Sequence, residues 1–176
     1  MKTIILGSLL TLMAAVMVCT AEETKTLKVG DTAPKVEGKD QNNKAWKLDD
    51  RAGKKNVLLY FYPKDNTPGC TKEACGLRDR IETLKKEDVE VVGVSFDNGE
   101  SHQKFIADQH LNFTLLQDTD GKIADAFNAR SPGKNTARRV SFLIGKDGKI
   151  KHITDTPKAD VHLEEMKDAV AKLGAK

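Results

Sequence analysis

Apolar residues cluster in short runs along the chain, and the strongest run covers 57–62. It reads VLLYFY, six apolar or aromatic residues in succession, which is typical of a strand covered on both faces of a sheet. Two more runs, 89–96 and 140–144, are also rich in β-branched residues. We predict a strand for each of these three runs. The turn signal Asp147-Gly148 predicts an antiparallel partner for the third strand at 149–153.

Amphipathic stretches lie between these runs and predict helices. In 68–86 the apolar residues step by three and four positions while charged residues take the other side, so we predict one continuous helix. Shorter helices are predicted at 98–110 and 121–127, and a final helix at 160–173. The apolar face of the final helix is predicted to consist of Val161, Met166, Ala169, Val170 and Leu173.

The order of these elements predicts the fold class. Strands and helices alternate first, and a hairpin then closes the sheet, which indicates an α/β domain with a central mixed β-sheet flanked by helices on both faces. Residues 22–43 are predicted to be an irregular lead-in with at most a short extended piece, and 44–48 a short strand. A loop is predicted at 129–137.

The first 21 residues have the pattern of a secretory signal peptide. A basic start is followed by about 15 apolar residues and then by the small-residue sequence Cys19-Thr20-Ala21. A membrane anchor is the alternative, but the run is short for a bilayer span and has no basic flank after it. Lipid attachment at Cys19 is less favoured, because Val18 is not a small residue. We therefore predict that 1–21 is cleaved, that 22–176 forms a single domain, and that the protein is exported, in a bacterium to the periplasm.

Net charge and cysteine count change little after such cleavage. Removal of Lys2 and Cys19 lowers Lys+Arg from 29 to 28 against 26 acidic residues, so the net charge falls from +3 to +2 and two cysteines remain. Both signs of charge are spread along the chain. This argues against nucleic acid or an acidic membrane as a partner.

The two remaining cysteines lie just after the strongest strand. Cys70 is placed in the first turn of the predicted helix, where unpaired backbone N–H groups and the helix dipole stabilise a thiolate. Cys75 follows five residues later. On an intact helix this spacing separates the two Cα atoms by roughly 8–9 Å, whereas a disulfide requires about 7 Å or less. A disulfide between the two would therefore require local unfolding of the helix.

Other uses of a cysteine pair fit the sequence less well. The four histidines, at 102, 110, 152 and 162, are scattered and interpreted as surface or helix-face residues, so no metal site is expected. The chain lacks the C-x-x-C motif of thioredoxin-type disulfide exchangers. A thiol that reacts with peroxide, a redox-sensing protein without turnover and a static structural disulfide remain open on these grounds.

Residues 63–79, PKDNTPGCTKEACGLRD, resemble the active-site segment of the peroxiredoxins. Within that family they are most similar to the Q-type subfamily, also called bacterioferritin comigratory protein, in which the second cysteine follows five residues after the first. Three further blocks occur in the order that the family shows, so that the resemblance covers about residues 27–172. These blocks are VEVVGVSFD at 89–97, LNFTLLQD at 111–118 and RRVSFLIGKDGKI at 138–150.

The resemblance implies a role for five residues. Cys70 would be the peroxidatic thiolate and Cys75 the resolving cysteine. Thr67 would place its hydroxyl against the sulfur and the peroxide, and it is also a candidate helix N-cap. Pro63 would shield the sulfur from water, and Arg139, rather than its neighbour Arg138, would direct its guanidinium at Cys70.

The resemblance also implies a thioredoxin-like fold and a reaction that needs no metal or organic cofactor. The substrates would be hydrogen peroxide and organic hydroperoxides, and a thioredoxin-like dithiol protein would reduce the resulting disulfide. A monomer is expected, because both cysteines lie in one helix. The short loop at 129–137 departs from the family pattern, which leaves substrate contacts there open.

Overall fold

A computed structural model describes residues 26–174, with side chains described up to Leu173. The predicted signal peptide at 1–21, including Cys19, lies outside the described residues. Within the described part of the chain, no helix has the length and apolar character needed to cross a membrane.

Within residues 26–174, seven strands form one mixed sheet, in the order β2-β1-β5-β4-β3-β6-β7. The central strands β3, β4 and β5 are parallel, and β6 pairs antiparallel with β3 on one side and with β7 on the other. The strands are β1 (Glu37–Asp40), β2 (Ala45–Lys47), β3 (Asn56–Phe61), β4 (Val89–Ser95), β5 (Thr114–Gln117), β6 (Val140–Ile144) and β7 (Ile150–Asp155).

Five helices and one short 3-10 helix, Asp49–Arg51, accompany the sheet in residues 26–174. The helices are α1 (Pro68–Asp79), α2 (Ile81–Lys86), α3 (Gly99–Gln109), α4 (Lys122–Ala126) and α5 (Ala159–Gly174). The predicted thioredoxin-like mixed sheet with helices is confirmed, and β6 has the predicted bounds.

Side chains of β3 alternate between two cores, one on each face of the sheet. Val57, Leu59 and Phe61 pack with α4 and with Trp46 of β2. Leu58 and Tyr60 face the other way and pack with Cys70 and with α2, α3 and α5. Because β3 is buried on both faces, its sequence is apolar at consecutive positions, as the pattern of the run indicates.

The predicted continuous helix over 68–86 is wrong, since the chain breaks at Arg80 into α1 and α2. The Arg80 backbone N–H bonds to the Leu77 carbonyl instead of continuing the α-helical ladder. The guanidinium of Arg80 donates to the Gly76 carbonyl that the break leaves free, and also to Glu164 of α5. The Arg80 side chain therefore donates to the Gly76 carbonyl in place of the backbone N–H of the same residue.

The predicted apolar face of α5 is wrong by one position at its start. Val161 is 42% exposed, whereas its neighbours His162 and Leu163 are buried. Met166, Ala169 and Val170 face the core, as the periodicity predicts. The helix consequently presents a histidine, not a valine, to the interior near its N terminus.

Candidate active site

Cys70 is the third residue of α1 and only 2% exposed. The helix begins directly after the loop that follows β3, and Pro68 is its first residue, a position where a missing N–H removes no helical hydrogen bond. The sulfur therefore lies near free backbone N–H groups at the N terminus of a helix that packs on the centre of the sheet. This arrangement places the sulfur at the positive end of the helix dipole.

Arg139 contacts the sulfur from the strand side. Its Nη2 donates to Cys70 Sγ at 3.4 Å, and its Nε donates to the Pro157 carbonyl at 3.2 Å. Gly69 makes the approach possible, since a Cβ at this position would lie 3.2 Å from Arg139 Nη2. Arg138, the alternative in the sequence, instead donates to the Asn128 carbonyl. The structure thus brings Arg139, and not Arg138, to Cys70.

Glu73 is the third member of this group and is fully buried. Its Oε2 accepts a hydrogen bond from Arg139 Nη1, while its Oε1 has no hydrogen-bond partner within residues 26–174. Burial raises the pKa of Glu73 to about 7, and the neighbouring Arg139 only partly opposes this rise. Burial alone would lower the pKa of Arg139, but the charges of Glu73 and Cys70 raise it above its usual value.

His162 and Ser141 lie behind Glu73. His162 Nε2 is 3.5 Å from Glu73 Oε1 and 2.5 Å from Ser141 Oγ. Burial lowers the pKa of His162 to about 4, so the imidazole is neutral at neutral pH. The site therefore continues from the sulfur through a guanidinium and a carboxyl to an imidazole.

Thr67 and Pro63 belong to the loop between β3 and α1, and both are half-buried. Thr67 has the extended backbone of an N-cap residue, but its side chain makes no capping hydrogen bond, so capping by this hydroxyl is a wrong prediction. Its Oγ1 donates to the Lys64 carbonyl at 3.0 Å instead. This bond holds the turn that leads into the helix.

A buried hydrogen-bond network anchors the same loop through Asp65. Its carboxylate accepts from the hydroxyls of Tyr62 and Ser101 at 2.7 Å each, and its Oδ2 is 2.9 Å from His102 Nδ1. Burial raises the pKa of Asp65, but these hydrogen bonds outweigh burial and hold the pKa below its usual value. The loop before Cys70 is therefore fixed to α3.

Cys75 is half-buried on the intact α1, and both cysteines are free thiols. Its Sγ donates to Gln109 Oε1 at 3.7 Å, at the end of α3. Arg78, also in α1, donates to the Gln109 carbonyl at 2.6 Å. Since the helix is intact between the cysteines, the geometry of the reduced state matches the separated pair that the spacing predicts.

Glu73, Ser141 and His162 were not predicted as site residues. The predicted surface position of His102 and His162 is wrong, because both are fully buried. Glu73 lies three positions after Cys70 on the same helix face, and this i, i+3 spacing was the available signal. In the described part of the chain, His, Cys, Asp and Glu side chains form no group of three or more that could hold a metal ion.

Comparisons with known proteins show which family this chain resembles. The AhpC/TSA family model matches residues 29–153. Peroxiredoxin Bcp of Escherichia coli is 45% identical over 142 residues, which cover 77% of this chain and 90% of that protein. Peroxiredoxin Bcp of Bacillus subtilis is 42% identical over 131 residues, which cover 71% of this chain and 83% of that protein.

Solved structures show the same fold. Peroxidoxin BcpB of Mycobacterium tuberculosis superposes with a TM-score of 0.76 at 31% identity, covering 85% of this chain and 97% of that one. The bacterioferritin comigratory protein of Xanthomonas campestris, studied for alkyl peroxide reduction, superposes with a TM-score of 0.70 at 28% identity, covering 80% and 90%. The chain therefore belongs to the AhpC/TSA family and is a peroxiredoxin of the Bcp type, a thiol peroxidase.

Proposed function

We propose that Cys70 is the peroxidatic residue and that it reduces hydrogen peroxide and organic hydroperoxides. The observation that carries this assignment is the 3.4 Å contact between Arg139 Nη2 and a buried sulfur at a helix N terminus. A guanidinium at this distance stabilises a thiolate and can also polarise the O–O bond of a bound peroxide. Alkyl peroxide reduction by the Xanthomonas campestris relative supports organic hydroperoxides as one substrate class.

The first chemical step is attack by the Cys70 thiolate on one peroxide oxygen. The S–O bond forms while the O–O bond breaks, the sulfur is oxidised to a sulfenic acid, and the departing oxygen takes up a proton to leave as water or an alcohol. Thr67, in the loop directly before the cysteine, orients the peroxide with its hydroxyl. Pro63, half-buried in the loop two residues after β3, limits the access of water.

Resolution uses Cys75. Its sulfur attacks the sulfenic sulfur, a Cys70–Cys75 disulfide forms, and the sulfenic oxygen leaves as water. The intact helix between the two residues must open for this step, because the Cα separation of roughly 8–9 Å on a helix exceeds the reach of a disulfide. A thioredoxin-like dithiol protein then reduces the disulfide and is itself oxidised. Oxidation of Cys70 and its resolution by Cys75 need no second copy of this chain, which supports a monomer.

Peroxide turnover tests the assignment of Cys70. Purified protein with an excess of a small dithiol should consume hydrogen peroxide and cumene hydroperoxide, and Cys70→Ser should abolish consumption. Cys75→Ser is the matched control, since it removes the other thiol of the same helix but keeps the first oxidation step. Absence of peroxide consumption by wild type, with Cys70→Ser behaving in the same way, would refute the assignment and favour a redox-sensing role.

Tryptic peptides test the role of Cys75. Trypsin cleaves after Lys64, Lys72 and Arg78, which leaves Cys70 on residues 65–72 and Cys75 on residues 73–78. One equivalent of peroxide should join these peptides in a non-reducing mass spectrum. Peptides that stay separate after Cys70 has been oxidised would exclude Cys75 as the resolving residue.

We also propose that the protein is exported and loses residues 1–21 on the way. The basic start, the apolar run and the small residues before Glu22 support cleavage after Ala21. N-terminal sequencing of the protein from a periplasmic extract should begin at Glu22. Recovery of the chain only from the cytoplasm with its first residues intact, or of a lipid-modified form, would contradict this proposal.

A further inference from the structure

Three fully buried polar side chains lie behind the Cys70–Arg139 contact. Glu73 Oε1 has no hydrogen-bond partner among the described residues, and His162 Nε2 faces it at 3.5 Å. The same nitrogen of His162 is 2.5 Å from Ser141 Oγ. A carboxyl oxygen without a partner in the interior is unfavourable when ionised, so its polar neighbour affects where it titrates.

Different elements hold these groups in place. Arg139 precedes β6 and Ser141 lies two residues later, so both point to the same face of the strand. His162 lies in the first turn of α5, the helix that packs beside α1. The imidazole is thereby fixed between the strand that carries the arginine and the helix that carries Cys70 and Glu73.

The charges of the group do not balance when both acids are ionised. Arg139 is the cation in contact with Glu73 and with Cys70, so a carboxylate and a thiolate share one guanidinium. Two anions that share a cation in a site of low dielectric disfavour each other's ionisation. The protonation state of Glu73 therefore determines whether the charge of Arg139 is shared with a carboxylate or stabilises the Cys70 sulfur alone.

We propose that His162, held by Ser141, is a positioning residue for the Cys70–Arg139 pair: it faces the free oxygen of Glu73 and thereby sets whether that carboxyl is ionised. This inference rests on the proposed function only in taking Cys70 as the reacting thiol. It adds a residue of α5 to a site that is otherwise built from α1, its preceding loop and the start of β6.

The physical basis is the polar contact that the neutral imidazole offers. Burial holds the pKa of His162 at about 4, and the single Nε2–H of the neutral ring can be shared between the nearer Ser141 Oγ and an ionised Glu73 Oε1. An apolar residue at this position would leave Oε1 in apolar surroundings and raise the pKa of Glu73 above about 7. Other ionisable groups near this cluster are Tyr60 of β3, whose pKa Glu73 and Cys70 help to raise, and Asp155 of β7 and Glu165 of α5, whose charges act on His162.

The pH dependence of Cys70 alkylation tests this coupling without any peroxide. Iodoacetamide labelling would be measured from about pH 5 to about pH 9 with phosphine reductant present, and quantified on the tryptic peptide 65–72. The plot of Cys70 labelling rate against pH should contain an inflection caused by Glu73. Glu73→Gln should remove this inflection. In His162→Leu this inflection should move upward by about one pH unit, whereas His162→Gln, which keeps a polar group, should move it by only about 0.3 unit.

The double variant Glu73→Gln/His162→Leu separates coupling from a general structural effect. It should give the same profile as Glu73→Gln alone, because His162 acts through the carboxyl. A His162→Leu shift that persists without Glu73, or equal shifts for the Leu and Gln variants, would overturn the proposal.

Ser141→Ala covers the case in which His162→Leu does not fold, as judged by far-UV circular dichroism. It removes only the hydroxyl that holds the ring and should shift the inflection upward by a smaller amount, while an unshifted profile would count against the proposal. The proposed function fails separately: absent peroxide turnover in wild type, together with the shifts described, would refute the peroxidatic role and support the coupling.

Discussion

At the scale of single residues, Arg139 links the parts of the site because each nitrogen of its guanidinium is engaged. Nη2 contacts the Cys70 sulfur, Nη1 contacts Glu73, and Nε contacts the Pro157 carbonyl. Lysine carries the same charge but concentrates it on one flexible ammonium, which cannot serve three partners in fixed directions. The planar geometry of the Arg139 guanidinium is therefore required in addition to its charge.

Arg139→Lys should lower kcat/KM for hydrogen peroxide by about 100-fold, the order expected when one preorganised donor is lost from a reacting centre. Stopped-flow measurement of Cys70 oxidation would report this change. Arg138→Lys is the matched control, and it should stay within about threefold of wild type, because Arg138 contacts the Asn128 carbonyl and Asp155 instead. Similar losses in both variants would argue against a specific role for Arg139.

Glu73→Gln should change how stability depends on pH. The folded pKa of Glu73 is about 7, above its usual value of 4.5, so the native state holds a proton that the unfolded state releases between these values. Wild-type stability relative to the variant should therefore fall as pH rises, by about 2 kcal/mol between pH 5 and pH 8. Urea unfolding of both proteins at the two pH values would measure the difference, and a constant difference would contradict the raised pKa.

Single residues of the site could be predicted to different extents. Cys70 and Cys75 stand out in the sequence as two thiols in the helical stretch after the strongest strand, whereas the role of Arg139 is implied only by the resemblance to the peroxiredoxins. Glu73 and His162 could not be assigned a function, because a charged residue in a helical stretch is normally placed on the solvent side. Their burial depends on contacts across elements, which no local pattern contains.

At the scale of elements, α1 packs on α5 through its middle and is joined to it by ion pairs at both ends. Lys72 pairs with Asp160 at 2.7 Å and Arg80 pairs with Glu164 at 2.9 Å, both on α5. Between these ion pairs lies Gly76, where a side chain would collide with Leu163. The helix therefore packs closely on α5 through its middle, while exposed ion pairs fasten both ends.

The double variant Asp160→Asn/Glu164→Gln should accelerate the Cys70–Cys75 disulfide by about two- to fivefold, because both ion pairs must break when α1 opens and each is weak in water. Rapid quenching after one equivalent of peroxide, followed by mass spectrometry, would give the rate. Asp108→Asn, which removes an exposed ion pair with Lys104 inside α3, is the control and should leave the rate unchanged. An unchanged rate in the double variant would show that α1 opens without releasing α5.

Elements with a clear apolar pattern of their own could be predicted from the sequence. Features that depend on residues far away in the sequence could not. The bounds of β6 follow from five successive buried residues. No glycine or proline marks the break at Arg80 in the sequence. The Arg80 side chain pairs there with Glu164, which lies on a helix near the end of the chain. Strand β1 was likewise hidden, because its alternating exposed and half-buried residues carry little apolar signal.

At the scale of the whole molecule, the sheet separates two hydrophobic cores, one on each of its faces. One contains Cys70 and packs against α1, while the other contains Trp46, which is 3% exposed and is the single tryptophan of the chain. Opening of α1 should therefore loosen one core and leave the other intact.

Tryptophan fluorescence should distinguish local from global opening. Oxidation of the reduced protein by one equivalent of peroxide should leave the emission maximum of Trp46 unchanged, since this side chain lies across the sheet from α1. Urea unfolding should shift the maximum to longer wavelength. A comparable shift on oxidation alone would show that disulfide formation disturbs both cores.

The pairing of β6 with β3 also determines when reactivity arises during biosynthesis. Cys70 and Arg139 are 69 residues apart in sequence, and they meet only after β6 has joined the sheet beside β3. A nascent chain that ends before β6 therefore carries an ordinary cysteine, without the guanidinium that holds its charge. The contact between the guanidinium and the thiol therefore forms late, after the chain has been made through β6 and that strand has joined the sheet.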